Sequence, residues 1–573
     1  MKIKSILSLL IVIILSLVLR LIILDKIPTG ISDDELDYIV NAKSIFITGK
    51  DISGIWNPLS LTTPPLEYPK AELPYIIISP LIGLMNFSLF AARFPFALFN
   101  TALVAVLYFI AKRIFGKQQA VIIGFLSAIN PWMIFFARTA FEAPVAILFY
   151  MTAFLIVIYS KGWRILFAFP ILLIAFYTYI GTKIIFIPFV ICISLFSWLF
   201  INNKKYTKQY ISLFLLSIGL FFFYFVNQTL HNNSRLSEVF TPFNSQVAEE
   251  VISQRKLSLN NPFMGIASNK ITVFLRQSTE KYLNTFSPQL LFLYGDGRST
   301  FSIRQHGLFY FVDLFFLIMG IYGLYRKNKR LWVMLISLVL IAPLPSVLSN
   351  VGTTYPTRSA LLFPLLIMLT GYGIWYTLYS KKFFSFKLFV VLIYILSLSN
   401  FLYIYVFRNP IYNSEGFGFS GRILTKYISL AENNKHKVVL LSDTSGVVPS
   451  LFKQYLFYTN NYNKSSAQEI SELIQENDYS FRNLTITPCP QNFSQKSIYI
   501  SVPDSKCKKI ENNLEYTTIP LLSDGGTIYK IFNDLVCTKY KLKRYPENLV
   551  LSDFDIDNLS EEGFCTRYIT KLD

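Results

Sequence analysis

The chain reads as a polytopic α-helical membrane protein that ends in a small α/β domain. Three observations carry this. Of its 573 residues 53% are hydrophobic and only 15% charged, whereas a soluble protein carries roughly 25% charge; mean hydropathy is +0.45. Long apolar runs recur from Ile6 to Val406 and then stop. Past that point Cys489, Cys507, Cys537 and Cys565 gather, while the fifth cysteine, Cys192, lies in an apolar run.

The apolar runs are 5–24, 91–112, 119–137, 142–160, 163–180, 183–201, 208–226, 308–325, 331–349, 357–379 and 386–406. Counted as spans they make about eleven, each near the roughly 20 residues that cross a bilayer. The first has no small-residue cleavage site behind it, so it is expected to stay as a span rather than leave as a signal peptide. The run Leu73–Leu84 is shorter and holds Pro74 and Pro80, which suits a juxtamembrane or re-entrant helix.

The basic loops test that count. Lys2, Lys112, Arg113, Lys117, Lys161, Arg164, Lys204, Lys205, Arg326, Lys327, Lys329, Arg330, Lys381 and Lys382 fall on the side of the N-terminus, which basic loops mark as cytoplasmic. The net charge of +19 is thereby explained without nucleic acid. The outer face receives the loop 25–90, the turn Arg138–Glu142, the turn at 179–183, the loop 227–307 and the turn at 350–358. It also receives everything after about residue 407, so the division is a membrane domain, 1–406, and a soluble extracytoplasmic α/β domain, 407–573.

In the second unit the runs Lys437–Leu441, Ser497–Val502 and Thr527–Phe532 read as strands, and Val448–Tyr458 and Ala467–Glu476 as helices. An even number of cysteines in a small outer domain suits disulfides. Four allow three pairings; proximity in sequence favours Cys489–Cys507 with Cys537–Cys565. No CxxC pair is present, and neither His231 nor His306 belongs to a ligand motif, so no metal site is expected.

Ser32-Asp33-Asp34-Glu35 follows the first span. Carboxylates at a span end are costly and invite a functional reading. Glu35 completes a Ser-x-x-Glu capping box, and Asp33 suits a helix dipole. Asp34 is left as the candidate base. Cations sit at other outer span ends: Lys70, Arg93, Arg138 with Glu142, Arg298 beside Asp296, His306, and Arg358 after Tyr355. Any one of these suits snorkelling. Together with a carboxylate they suit an anionic lipid headgroup and a base acting beside it.

The order of segments over 1–406 resembles the GT-C superfamily. These polytopic glycosyltransferases use polyprenyl-phosphate sugars and include protein O-mannosyltransferases and lipid A aminoarabinose transferases. The residues that carry the resemblance are Ser32-Asp33-Asp34-Glu35-Leu36 with Tyr38, Asn41 and Ala42, Thr48-Gly49-Lys50-Asp51, and Lys70 with Leu73-Pro74-Tyr75. Ala92-Arg93-Phe94-Pro95, Lys112-Arg113-Ile114-Phe115-Gly116, Asn130-Pro131-Trp132 and Ala137-Arg138-Thr139-Ala140-Phe141-Glu142 continue it. The chain departs from the pattern at Glu142, where many relatives carry Asp, and at Lys70, which is followed by Ala71-Glu72 rather than two prolines.

The resemblance implies transfer of a sugar from a polyprenyl-phosphate donor to a hydroxyl acceptor on protein, lipid or glycan, at the outer membrane face and with inversion. Asp34 would be the base. Glu142 would orient the acceptor or sugar, or hold the proton state of Asp34. Lys70, Arg138 and Arg358 would neutralise the phosphate, with Arg93 and Arg298 as further candidates. Glu35, Asp33, Asp296, Tyr355 and His306 would support the site. No organic cofactor is called for, and a divalent cation is left open. Two other classes fit less well. A transporter or flippase of lipid-linked sugars would need charges in mid-span and an inverted repeat. A scaffold presenting the outer domain would tolerate changes at Asp34.

Overall fold

Helix α1, Lys2–Leu21, is followed by a connecting segment and then by α2, Asp33–Thr48. The computed structural model describes the chain except residues 1, 61–69, 203, 231–244, 299, 350–355, 381–383, 444–445, 491–492, 504, 508–509, 511–514, 547 and 572–573. Local chemistry sets both ends of α2. The Ser32 side chain accepts from the Glu35 amide while the Glu35 carboxylate accepts from the Ser32 amide, and Gly49 closes the helix at φ 78°. The run with two prolines forms α3, Pro74–Leu84, eleven residues and too short to cross a bilayer.

The helical part continues with α4 (Leu89–Ile114), α5 (Lys117–Ile129), α6 (Pro131–Ala137), α7 (Glu142–Tyr159), α8 (Ala168–Thr178), α9 (Phe186–Phe196) and α10 (Thr207–Leu230). Next come α11 (Ser245–Lys256) and α12 (Lys270–Thr285). Then come α13 (Phe311–Lys327), α14 (Lys329–Ile341), α15 (Leu362–Ser380) and α16 (Phe384–Tyr403). Among the described residues six helices are long and apolar enough to cross a membrane, and α5 with α6, bent by 53°, would make a seventh. The bend falls at Asn130-Pro131, where Asn130 caps α6 and proline occupies its first turn. Four further apolar helices, Ile6–Leu21, Pro74–Leu84, Gly162–Thr178 and Phe186–Ile201, are shorter. The expected count of about eleven rests on such runs as well as on the long ones.

Small residues and buried arginines lock the bundle. A methyl group on Gly320 would stand 1.9 Å from the Leu369 carbonyl oxygen, so α13 and α15 touch backbone to backbone there. Arg20 in α1 donates to Asn100 of α4 and to the Ser127 and Ala128 carbonyls of α5.

The C-terminal unit holds α17 (Phe419–Asn433), α18 (Val447–Tyr458), α19 (Ala467–Glu476) and a late α20 (Glu561–Tyr568) around one six-stranded sheet. The strands are β1 (Lys437–Leu441), β2 (Tyr479–Phe481), β3 (Leu484–Thr487), β4 (Ser497–Ser501), β5 (Tyr516–Pro520) and β6 (Thr527–Phe532), in the order β2-β3-β1-β4-β6-β5. β1 is parallel to β3 and β4; the other pairings are antiparallel. Disulfides join Cys489 to Cys507 and Cys537 to Cys565.

Packing does not follow the division at residue 407. Ile31, Leu36, Ile39, Tyr75 and Phe96 share one hydrophobic core with Phe419, Phe452, Tyr455 and the sheet residues Leu440 and Ile500. α2 and α3 therefore pack with the C-terminal unit. Arg422 of α17 seals the junction by donating to the Thr29 and Phe554 carbonyls and to Asp557.

Candidate active site

Asp34, Asp37 and Tyr38 occupy positions i, i+3 and i+4 of α2, so a single helix face carries all three. Lys70 comes to that face from the segment before α3. Its Nζ stands 3.4 Å from an Asp34 oxygen and 3.2 Å from an Asp37 oxygen, and 5.0 Å from the centre of the Tyr38 ring.

The two carboxylates differ sharply. Asp37 is buried and accepts on both oxygens: Tyr75 Oη at 3.0 Å beside Lys70, and on the other oxygen Asn41 Nδ2 at 3.0 Å and Lys453 Nζ at 2.6 Å. Burial alone would raise its pKa, but Lys70 and Lys453 together hold it well below the usual carboxylate range. Burial alone would lower Lys70, and Asp37 and Asp34 more than reverse that, so its ammonium is raised. Asp37 is thus a fixed anion with its lone pairs occupied. Asp34 has a 54% exposed side chain, and Lys70 is its ion-pair partner among the described residues.

Glu142 enters from the first turn of α7. The Tyr38 side chain hydrogen-bonds it, and it lies within electrostatic reach of Asp34 and Lys70. Burial, then Glu142, push the Tyr38 phenol well above its usual pKa, so it stays protonated as the donor. Asp34, Lys70 and Glu142 are therefore brought together, with Asp37, Tyr38, Tyr75 and Lys453 around them.

Glu72 fixes the Lys70 segment from below. Lys183, in the turn after α8, donates to both of its oxygens at 3.1 and 3.0 Å and packs 3.9 Å from the centre of the Tyr224 ring. Burial raises Glu72 and lowers Lys183 even though each opposes that in the other.

Other expected site residues have different work. Glu35 is fully buried; it accepts from Ser32, from the Ala140 amide at 2.7 Å and from Arg93 Nε at 3.4 Å. Arg93, also fully buried, gives its remaining nitrogens to the Pro28 and Gly30 carbonyls, which leaves it no fork for a phosphate. Arg138 is a second correction. Its guanidinium donates to the carbonyls of Leu19, Arg20, Ile22, Ile23 and Ile27 and to Tyr405 Oη. These include the orphan carbonyls where α1 ends. A cation at a helix C-terminus is favoured in its own right. Asp33 is exposed and accepts from Ser450 Oγ of α18.

Ahead of α13 Arg298 grips Asp296 with two nitrogens, at 2.9 and 3.0 Å. Phe301 packs with its ring centre 5.5 Å from that of Phe141, beside the Glu142 turn. His306 bonds the Gly307 carbonyl and packs on Phe401, and burial lowers its pKa. Arg358 is buried, within electrostatic reach of Lys281. Tyr355 and His231 lie outside the described residues. Among the described residues no group of three or more His, Cys, Asp or Glu is arranged to hold a metal.

Asp37, Tyr38, Tyr75 and Lys453 were not singled out as site residues by sequence. The helical spacing from Asp34 is the signal in sequence that could have found Asp37 and Tyr38. Nothing local points to Lys453.

No protein-family model and no curated protein matches the chain. Among solved structures, ArnT from Cupriavidus metallidurans bound to undecaprenyl phosphate is similar at 11% identity, over 92% of this chain and 97% of that one, with a TM-score of 0.46. The archaeal oligosaccharyltransferase AglB from Archaeoglobus fulgidus, in complex with an inhibitory peptide and a dolichol-phosphate, is similar at 13% identity, over 93% of this chain and 74% of that one, with a TM-score of 0.42.

Proposed function

We propose that this chain is a membrane glycosyltransferase that moves a sugar from a polyprenyl-phosphate donor to a hydroxyl acceptor at the outer face of the membrane. The observation that carries the reading is the pairing of a half-exposed carboxylate, Asp34, with a lysine, Lys70, that a second, saturated carboxylate fixes in place. A half-exposed base stands beside a fixed cation.

In this mechanism the acceptor oxygen attacks the anomeric carbon and the bond from that carbon to the phosphate oxygen breaks. Asp34 takes the acceptor proton, which requires hydrogen-bond reach to the hydroxyl. The phosphate gains a negative charge as it leaves, and Lys70 offsets it from a preset position. Attack opposite the leaving phosphate inverts the anomeric centre. Glu142, held by Tyr38, orients the acceptor or sugar. Arg358 and Arg298 are further phosphate candidates, while Arg93 and Arg138 serve the scaffold. The N-terminus lies in the cytoplasm, and the site and the sheet domain face outside.

The test uses the full-length protein in lipid nanodiscs with a panel of radiolabelled polyprenyl-phosphate hexoses and pentoses. Release of free polyprenyl phosphate by the wild type, and not by Asp34→Asn, is expected. Equal release by both would remove Asp34 from the reaction; release by neither, across the panel and with acceptors of all three classes, would remove the reaction.

A further inference from the structure

Lys453 belongs to the C-terminal unit, yet its ammonium lies at the candidate active site, 2.6 Å from Asp37. It is held there. Ser450, one turn earlier on α18, donates to Asp33, Tyr462 Oη donates to Ser44 at 2.7 Å, and Ser471 and Gln475 both donate to the Ser53 carbonyl. The same unit thus grips α2 and the turn behind it along their length.

Two ammoniums, Lys70 and Lys453, meet two carboxylates, buried Asp37 and half-exposed Asp34, with Lys70 between the two. An ammonium has three donors, and the contact with Asp37 uses one of Lys453's. Its side chain is 17% exposed.

Resting on the transferase reading above, we propose that Lys453 is a second contact for the donor phosphate, supplied by the C-terminal unit to a site otherwise built from α2, the Lys70 segment and α7. The donor phosphodiester carries one negative charge. When its bond to the anomeric carbon breaks, the electron pair stays on the phosphate oxygen and the acceptor proton goes to Asp34, so the phosphomonoester leaves with two. Protonation of Asp34 leaves Lys70 and Lys453 facing one carboxylate, Asp37, so one positive charge is released against the negative charge that develops on the phosphate. The C-terminal unit is then part of the catalytic apparatus, and α18 is the element that completes it.

The experiment measures binding of undecaprenyl phosphate and of the uncharged alcohol undecaprenol to the full-length protein in nanodiscs. Wild type should prefer the phosphate. Lys453→Gln should weaken phosphate binding about tenfold, or about 1.4 kcal/mol, and leave the alcohol unchanged. Lys453→Arg, which keeps the charge, should retain the preference, and so should Ser450→Ala, which loosens the same helix without touching a cation. Wild-type preference in Lys453→Gln would overturn the proposal and spare the transferase reading. Loss in Ser450→Ala as large as in Lys453→Gln would assign the effect to helix docking and also overturn it. A wild type that does not distinguish phosphate from alcohol would overturn both.

Discussion

Lys70 bridges Asp34 and Asp37, with its ammonium 3.4 Å from one carboxylate and 3.2 Å from the other. The bridge divides labour between two acids three residues apart. Asp37 is buried and fully bonded, so it holds the cation; Asp34 is half exposed, so it can meet a substrate. Asp34→Asn should therefore reduce turnover by about a hundred- to ten-thousandfold, the range of general-base catalysis. Its melting temperature should stay near that of wild type, because exposed substitutions shift stability by about 0.5 kcal/mol or less. Release of polyprenyl phosphate and a thermal melt on one preparation check both; a variant that turns over normally would end the assignment.

How far the sequence led depended on the range of each contact. Asp34 stood out because three carboxylates at a span end are costly in themselves. β1 and β6 were readable to the residue, and β4 nearly so, because each is an apolar run of five or six residues. β2, with three residues, and β3, with four, are too short for a periodic pattern, and both were missed. Arg138 looked like a phosphate ligand because a lone cation at an outer span end is what a ligand and a helix cap both look like in sequence. Only the carbonyls of α1 around it separate the two. Lys453 had no local signal, since its partner lies 416 positions away.

Glu35 tests the scaffold side of the same helix. It pairs with fully buried Arg93 and receives the Ala140 amide. Removing one member of a buried pair strands the other charge, which costs about 3–5 kcal/mol. Glu35→Gln should lower stability by about that amount, read by denaturant unfolding in detergent. Wild-type stability combined with lost turnover would move Glu35 from the scaffold to the chemistry.

Asp37 sets an acid limit. Its pKa is depressed on folding, so its contribution to stability is complete above the ordinary aspartate value of about 3.9 and is lost as pH falls below that toward its folded value. Lys70 is raised, so its contribution is complete below the ordinary lysine value of about 10.4 and is lost only as pH rises past that. Asp37→Asn should melt lower than wild type at neutral pH, with the gap narrowing as pH falls through about 4. Melting curves across that range decide it; a gap independent of pH would mean the carboxylate charge is not what Lys70 and Lys453 hold.

The disulfides should matter to the sheet domain and hence to the site it covers. Cys537–Cys565 spans 28 residues and Cys489–Cys507 spans 18. Loops of this size contribute about 3–4 kcal/mol each by restricting the unfolded chain. Replacing Cys537 and Cys565 together by serine should lower the melting temperature of the full chain under oxidising conditions, and reductant should do the same to wild type. Insensitivity of wild type to reductant with both bonds demonstrably opened would contradict this.

Arg138 separates a cap from a ligand. Its guanidinium holds the carbonyls that close α1 together with those of Ile22, Ile23 and Ile27 ahead of α2, and its ring partner Tyr405 lies on the last span. One side chain therefore fixes the end of α1, the chain that leads to Asp34 and the segment that leads to the C-terminal unit. Lysine keeps the charge but has three donors instead of five and no planar fork. At least two buried acceptors would be left unmet, at about 1–3 kcal/mol each. Arg138→Lys should accordingly melt well below wild type, while the fraction that remains folded still prefers undecaprenyl phosphate to undecaprenol. The opposite result, wild-type melting with the preference gone, would return Arg138 to the phosphate and require the network around α1 to open when donor arrives.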